Sequence, residues 1–190
     1  MKLRKTLILL AVALLSAGYM LAKSSIMTEF TGHDTFLALI SSGAISCPGG
    51  EPDPTWSQGS PCTPGSRVHL REGKFQYHFQ SSDDRLTGLM ELLSANGNYD
   101  GWRPDLPFGG GPGSGQMWGT MRVTVAGGVW EGTWTGTRTV TGQDVVITTH
   151  TVLFGTGSVQ GLKAEFSGTA DPVVGGSYQG WILAPPGKTK

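Results

Sequence analysis

Hydrophobic and polar residues alternate along most of this chain, most clearly over residues 128 to 140. Every second position from Trp130 to Arg138 holds a ring, a glycine or a long side chain, whereas Glu131 and several threonines occupy the positions between. A period of two residues is typical of a β-strand, whose side chains point alternately to opposite faces. Large rings alternating with glycines on one face favour a strongly curved sheet, because a glycine lets a neighbouring ring lie across the backbone.

The same alternation predicts seven further strands. After residue 22, no long window keeps apolar residues at helical spacing, and glycine-containing turns separate the alternating segments. This spacing is typical of a sandwich or a barrel, and no crossover helix is available for a parallel sheet. We therefore expect an all-β fold, an antiparallel β-barrel of about eight strands. The predicted strands are residues 30 to 40, 68 to 79, 85 to 94, 117 to 125, 128 to 140, 145 to 154, 162 to 167 and 178 to 183.

The first residues predict export. Lys2, Arg4 and Lys5 precede an apolar run over residues 7 to 15, and small residues follow as far as Ala22, which is the pattern of a secretory signal peptide. The apolar run is shorter than the roughly 20 residues that cross a bilayer, which favours cleavage over an uncleaved anchor. We expect a signal peptide at residues 1 to 22, one domain at residues 23 to 190, a secreted or periplasmic location and no stable membrane insertion after cleavage.

Charge and glycine patterning argue against several classes of partner. Three of the 14 basic residues lie in the signal peptide, so the remaining 11 face 14 acidic residues, and a net charge near −3 does not attract nucleic acid. The 30 glycines form no phosphate-binding motif, since the run from Gly155 to Gly161 leads into a strand rather than a helix. The four histidines have no metal-binding spacing, and we expect neither a metal nor a cofactor.

Two irregular segments interrupt the strand pattern, at residues 41 to 66 and 95 to 116. The first carries the chain's two cysteines, Cys47 and Cys62, which we expect to be exposed and to form a disulfide in an oxidising compartment. The second is a candidate binding loop, because it carries residue types that are common at binding surfaces, and a packed structural loop is the alternative. Its candidate ligand-binding residues are Tyr99, Trp102, Arg103 and Phe108.

His150 is the remaining candidate ligand-binding residue. It is in phase with Val146, Val152 and Phe154, so it becomes a polar group in an apolar interior if that face of its strand points inward. If His150 is paired with one carboxylate in that interior, the pair is the best candidate site for proton-transfer chemistry. The strand charges Glu91, Arg122 and Glu131 are expected to face water. The sequence has no GxSxG elbow, and we assign no catalytic residue.

Residues 153 to 168, LFGTGSVQGLKAEFSG, resemble the glycine-turn hairpin of the allene oxide cyclase and dirigent-like barrels, in which a strand ends in a GTG-type turn and resumes with a Gly-Leu pattern. The resemblance covers these 16 residues in motif and about the last 80 in strand order. It implies an eight-stranded β-barrel, often a homo-oligomer, whose cavity holds a small apolar molecule. It carries no catalytic residue over to this chain.

Three functions remain open on this basis. The first is an exported, non-catalytic barrel that binds a small apolar ligand or a partner through its mouth and residues 95 to 116. The second is a cyclase-like or isomerase-like barrel enzyme, and the third is a structural surface protein without a pocket. An apolar cavity with a convergent polar pair favours the enzyme, whereas a filled interior favours the structural protein.

Overall fold

A computed structural model of the protein describes residues 25–48, 62–106, 110–171 and 175–185, so the predicted signal peptide lies outside the described residues. No helix in these ranges is long and apolar enough to span a bilayer. One turn of 3-10 helix, Asp84–Leu86, accompanies the strands. The strands are β1 (Ile26–Ser41), β2 (Ala44–Ser46), β3 (Val68–Ser81), β4 (Gly88–Tyr99), β5 (Trp102–Arg103), β6 (Gly111–Pro112), β7 (Gly115–Val125), β8 (Gly128–Thr141), β9 (Asp144–Gly157), β10 (Lys163–Asp171) and β11 (Gly175–Ala184).

Eight long strands form a closed antiparallel barrel in the order β1-β11-β10-β9-β8-β7-β4-β3, and β3 pairs back to β1. β1 closes the barrel because it pairs with both β11 and β3. Its residues 26 to 33 lie against β11, and its residues 32 to 41 lie against β3. Each long strand therefore neighbours the next one along the chain, which is an up-and-down barrel. The predicted all-β barrel of antiparallel strands is confirmed.

The interior-facing side of β8 is the one that carries the tryptophans. Trp130 is completely buried and Trp134 is 3% exposed. The Trp130 Nε1–H donates a hydrogen bond of 2.7 Å to the Arg85 carbonyl, which ties β8 to the 3-10 turn across one end of the barrel. Leu86 in that turn and Val159 in the β9–β10 turn are also buried there, and we call this end the base. The base is therefore filled with side chains.

The core at the base depends on rings that lie over glycines. The Phe79 ring on β3 packs over Gly32 on β1, where a Cβ would stand 2.7 Å from the Phe79 Cζ. Without that space the two strands could not approach while the ring points inward. The buried core is Phe30, Phe79, Leu86, Met90, Ala95, Met121, Val123, Val125, Trp130, Trp134, Leu153, Val159, Ala164, Phe166 and Ile182.

The structure differs from the sequence prediction around β4. Arg85 belongs to the 3-10 turn, and β4 continues to Tyr99, so residues 95 to 99 are strand rather than loop. The glycine at 97 permits this extension, since the Tyr99 ring lies across it. Asn96 also stabilises the sheet, because its side-chain oxygen accepts a hydrogen bond from the backbone N–H of Glu72. Glu72 lies at the bulge in β3 and has a φ of 59°. Local turn propensity is thus overridden by strand pairing.

The disulfide between Cys47 and Cys62 is confirmed, with a Cα–Cα distance of 5.6 Å. The expectation that both cysteines are exposed is wrong for Cys62, which is 1% exposed. It packs with Val68, Tyr99 and Trp102 in a second buried cluster, separate from the base. This cluster and the β5–β6 ribbon mark the opposite end of the barrel, which we call the mouth.

A candidate ligand-binding cavity

A cavity of about 390 Å³ occupies the half of the barrel toward the mouth. Its lining runs from core residues such as Met90, Met121 and Trp134 to Tyr99 and Trp102 of the cluster at the mouth. Its volume falls in the range of about 300–1,000 Å³ that is usual for small-molecule sites. Representative apolar residues of the wall are Leu39, Leu70, Phe75, Leu92, Met117 and Ile147.

One wall of the cavity carries a buried carboxylate. Asp34 on β1 is 5% exposed. Its Oδ1 accepts the Gly176 N–H at 2.6 Å, and its Oδ2 accepts the Tyr178 hydroxyl at 2.5 Å. Burial first, and the Asp34 charge second, raise the pKa of Tyr178 well above its usual range. The same two causes raise the pKa of Tyr77 to about 12, so both phenols stay protonated at neutral pH.

The opposite wall carries a guanidinium. Arg138 on β8 stands four strands away from Asp34 in a ring of eight. Its Nε–H donates to the Pro112 carbonyl at 3.0 Å, which links the barrel wall to the β5–β6 ribbon. Burial lowers the pKa of Arg138, with the nearby Tyr99 acting in the other direction. Among the described residues Arg138 forms no ion pair.

Several polar atoms in the cavity wall have no hydrogen-bond partner. Within the described ranges, Trp102 Nε1, Trp134 Nε1 and Thr149 Oγ1 are buried without an acceptor or donor, and all three residues line the cavity. A buried polar atom without a partner costs about 1–3 kcal/mol, so such atoms are uncommon in a filled interior. The atoms themselves are covered, so a bound molecule meets them only after a small movement of their side chains.

The predicted binding residues of the segment 95 to 116 divide into three groups. Tyr99 and Trp102 line the cavity at the mouth, where they are 4% and 7% exposed. Arg103 does not line it, because its guanidinium points outward and pairs with Asp105 at 2.7 Å. Phe108 lies outside the described residues.

The hypothesis that His150 forms an interior proton-transfer pair is wrong. His150 lies on the outer wall, with a side chain that is 50% exposed and a ring nitrogen 3.3 Å from Glu165 Oε1. The Lys163 ammonium, and to a lesser extent His150, hold the pKa of Glu165 below its usual range. Thr149 and Thr151, the neighbours of His150 along β9, occupy the inward positions instead. His150 and Glu165 do lie side by side, but the pair is on the outer wall in contact with solvent.

The cavity contains polar residues that the sequence did not single out, among them Asp34, Tyr178 and Arg138. Arg138 did carry a signal, since it is in phase with Trp130 and Trp134, whose face the ring-and-glycine pattern marks as the curved inner one. Asp34 and Tyr178 are 144 residues apart and meet only because the barrel closes between β1 and β11. The sequence contains no local signal for that pair.

Two other depressions lie on the outer wall. The larger, about 790 Å³, is wide open where β1 passes from β11 to β3, and small polar side chains such as Ser167 and Ser177 line it. The other lies beside His150 and Trp181. Neither encloses a molecule as the barrel interior does. Among the described residues, no three His, Cys, Asp or Glu side chains come together in a way that would hold a metal ion.

Comparison with known proteins adds no relative. No family model matches the chain, no curated protein matches it, and no solved structure matches it. The properties of the cavity itself are therefore the basis for any functional argument. An apolar chamber with a cation that pairs with no carboxylate of the described residues on one wall, and a hydrogen-bonded carboxylate on the other, can bind and orient a small molecule.

Proposed function

We propose that this protein is an exported barrel that binds a small, mainly apolar molecule in the cavity near its mouth. The observation that carries the proposal is the cavity itself, a chamber of about 390 Å³ with a predominantly apolar wall. Closely packed interiors contain few voids larger than a water molecule, so an apolar chamber of this size is a feature that a purely structural barrel would not need. This volume accommodates a molecule of one or two rings, or a chain of similar bulk.

The rim supports entry from the mouth. Phe36, Leu39 and Ile45 line the cavity and yet remain 46%, 54% and 40% exposed. Exposed apolar side chains that continue into a chamber are typical of ligand entrances, because a bound molecule removes them from water. Trp102 also lines the cavity at the mouth, where it packs with Cys62 of the disulfide and belongs to the β5–β6 ribbon. The segment that was expected to bind a ligand therefore contributes part of the cavity wall at the mouth.

Export is the second part of the proposal. It rests on the signal-peptide pattern of residues 1 to 22 and on the Cys47–Cys62 disulfide, since disulfides persist mainly in oxidising compartments. We also propose that the chain is related to the allene oxide cyclase and dirigent-like barrels. That proposal rests on residues 153 to 168, which form the end of β9, a glycine turn and the start of β10.

A cyclase-like or isomerase-like enzyme is the second candidate function, and one observation favours it. Asp34 and Tyr178 place a carboxylate and a phenol side by side on the wall of an apolar chamber. Such a pair can accept and return a proton when the surroundings exclude water. Asp34→Asn tests this alternative. The variant should keep its affinity for an apolar ligand under both functions, but only an enzyme has a turnover that the substitution abolishes.

Phenylnaphthylamine, an uncharged probe that fluoresces in apolar surroundings, tests the proposed binding. We expect saturable fluorescence with the folded, oxidised protein. Thr149→Phe, which places a ring in the cavity, should weaken binding by about 10-fold or more, equivalent to about 1.4 kcal/mol. Thr148→Phe is the matched control, because Thr148 is the exposed neighbour on the outer wall. The proposal is wrong if the probe does not bind, or if folded Thr149→Phe and Thr148→Phe bind it equally well.

A further inference from the structure

Of the described arginines, Arg67 and Arg138 have neither a carboxylate partner nor a full set of hydrogen bonds, but Arg67 is exposed to water, whereas Arg138 lines the cavity. Arg85, Arg103 and Arg122 each face a carboxylate within 2.7 Å, and Arg71 donates three hydrogen bonds to neighbouring acceptors. Arg138 is half-buried, and its Nε–H to the Pro112 carbonyl is the one hydrogen bond that the described residues provide for it. A guanidinium has five N–H donors, so most of its capacity is unused.

The unused donors belong to a group that lines the cavity. Arg138 is the last residue on the Trp130 and Trp134 face of β8 to line the cavity, and its bond to Pro112 places it at the level of the β5–β6 ribbon. A cation in such a place has lost part of its hydration, and burial lowers its pKa accordingly. A charge-assisted hydrogen bond to an anion is stronger there than in water, because the surroundings screen it less.

The other charged residues that line the cavity, Asp34 and Asp171, are both acidic, and they reinforce this asymmetry. Asp34 stands on the opposite wall and is already satisfied by Gly176 and Tyr178. An anion near Asp34 would be repelled, whereas an anion near Arg138 would be attracted. The separation of Arg138 from Asp34 therefore specifies which way round a ligand with one charged end enters the cavity.

Resting on the proposed binding function, we infer that the ligand carries a single anionic head group, a carboxylate or a sulfonate, and that the Arg138 guanidinium receives this head at the mouth. The apolar body of the ligand then extends toward the base, against Leu92, Met121 and Trp134. The planar fork of an arginine suits a carboxylate or sulfonate because it donates two parallel hydrogen bonds. Arg138 is thus the residue that sets specificity for the charged end.

Two dyes with the same ring system separate this inference from the binding function on which it rests. Anilinonaphthalene sulfonate carries an anionic group, and phenylnaphthylamine is its uncharged counterpart. We expect Arg138→Gln to weaken binding of the sulfonate by about 10-fold or more and to change binding of the uncharged dye by less than about 3-fold. Arg122→Gln, which removes a cation from the outer wall, should change neither affinity. Thr149→Phe should weaken both dyes, which places both inside the barrel.

Each outcome decides one of the two proposals. If the uncharged dye binds and folded Arg138→Gln binds the sulfonate as well as the unchanged protein does, the anionic head is wrong and the apolar cavity stands. If Arg138→Gln weakens both dyes equally, Arg138 maintains the mouth through Pro112 and does not recognise charge. Arg138→Lys keeps the charge without the fork, so it should restore part of the sulfonate affinity. If neither dye binds the unchanged protein, the binding function itself is wrong.

Discussion

The Tyr178 hydroxyl donates a hydrogen bond of 2.5 Å to Asp34 Oδ2 and so joins the first long strand of the barrel to the last. The contact lies where β1 leaves β11 and turns to pair with β3. Asp34 is 5% exposed, and a carboxylate so deeply buried is stable only when donors surround it. The pair therefore stabilises the seam of the barrel and at the same time forms part of the cavity wall.

Removing the Tyr178 hydroxyl should weaken the seam. We expect Tyr178→Phe to lower the free energy of unfolding by about 1–3 kcal/mol, because it leaves a buried carboxylate oxygen without its donor. Urea unfolding of Tyr178→Phe, Asp34→Ala and the double variant gives the coupling energy. We expect a coupling of about 1 kcal/mol or more. Strictly additive losses would show that the contact does not stabilise the closure.

Tyr77 should make the protein sensitive to alkaline pH. Burial, with a smaller effect of Asp34, raises the pKa of Tyr77 to about 12, whereas an unfolded tyrosine ionises near pH 10. The folded state therefore keeps a proton that the unfolded state loses, and stability falls as pH rises above about 10. We expect Tyr77→Phe to lose about 1 kcal/mol less stability than the unchanged protein between pH 8 and pH 11. Equal losses in urea unfolding at the two pH values would contradict this assignment.

The disulfide should stabilise both the fold and the mouth. Cys47 and Cys62 enclose a loop of 15 residues in sequence separation, for which the chain-entropy model gives about 3 kcal/mol. We expect the double variant Cys47→Ala and Cys62→Ala, measured by denaturant unfolding, to lose about this amount. Reduction of the unchanged protein should give a similar loss. An unchanged unfolding midpoint in both cases would mean that the Val68, Tyr99 and Trp102 cluster holds the mouth without the bond.

Thr151 offers a stabilising substitution. It is 1% exposed, and its Oγ1 has no hydrogen-bond partner among the described residues. Replacing the hydroxyl by a methyl group of similar shape removes the cost of an unpaired buried oxygen, so Thr151→Val should raise the free energy of unfolding by about 1 kcal/mol. Thr133→Val on the exposed face of β8 is the control and should change it by less than about 0.5 kcal/mol. A destabilised Thr151→Val would indicate that the oxygen has a partner such as a buried water.

The alternation along β8 was informative because its two faces differ in character. One face holds Trp130 and Trp134 with glycines between them, and the other holds threonines and Glu131. Burial of the tryptophan rings is more favourable than burial of the threonines and Glu131, so the sequence indicates which face of β8 points inward. Arg138 lies on that same face. The Arg122–Glu131 pair at 2.6 Å on the outer wall agrees with the expectation that both charges face water.

For β9 the sequence left the inward face open, because the two faces of this strand look alike. Val145, Ile147 and Leu153 alternate with Val146, Val152 and Phe154, so hydrophobicity does not show which set points inward. The pairing of β9 with β8 decides the matter, since Thr151 stands opposite Trp134 and His150 stands opposite Thr135. His150 therefore shares the outer face with Thr135, and Phe154 is left 59% exposed.

The sequence alone determined the class of fold, the approximate place of the strands and the pairing of the cysteines, because these depend on side-chain period, on turn residues and on the small number of cysteines. The tertiary structure decided which faces enclose the cavity and which polar groups meet inside it. Those properties depend on the register between strands and on closure of the ring. Closure brings Asp34 to Tyr178 across 144 residues of chain and places Arg138 on the opposite wall.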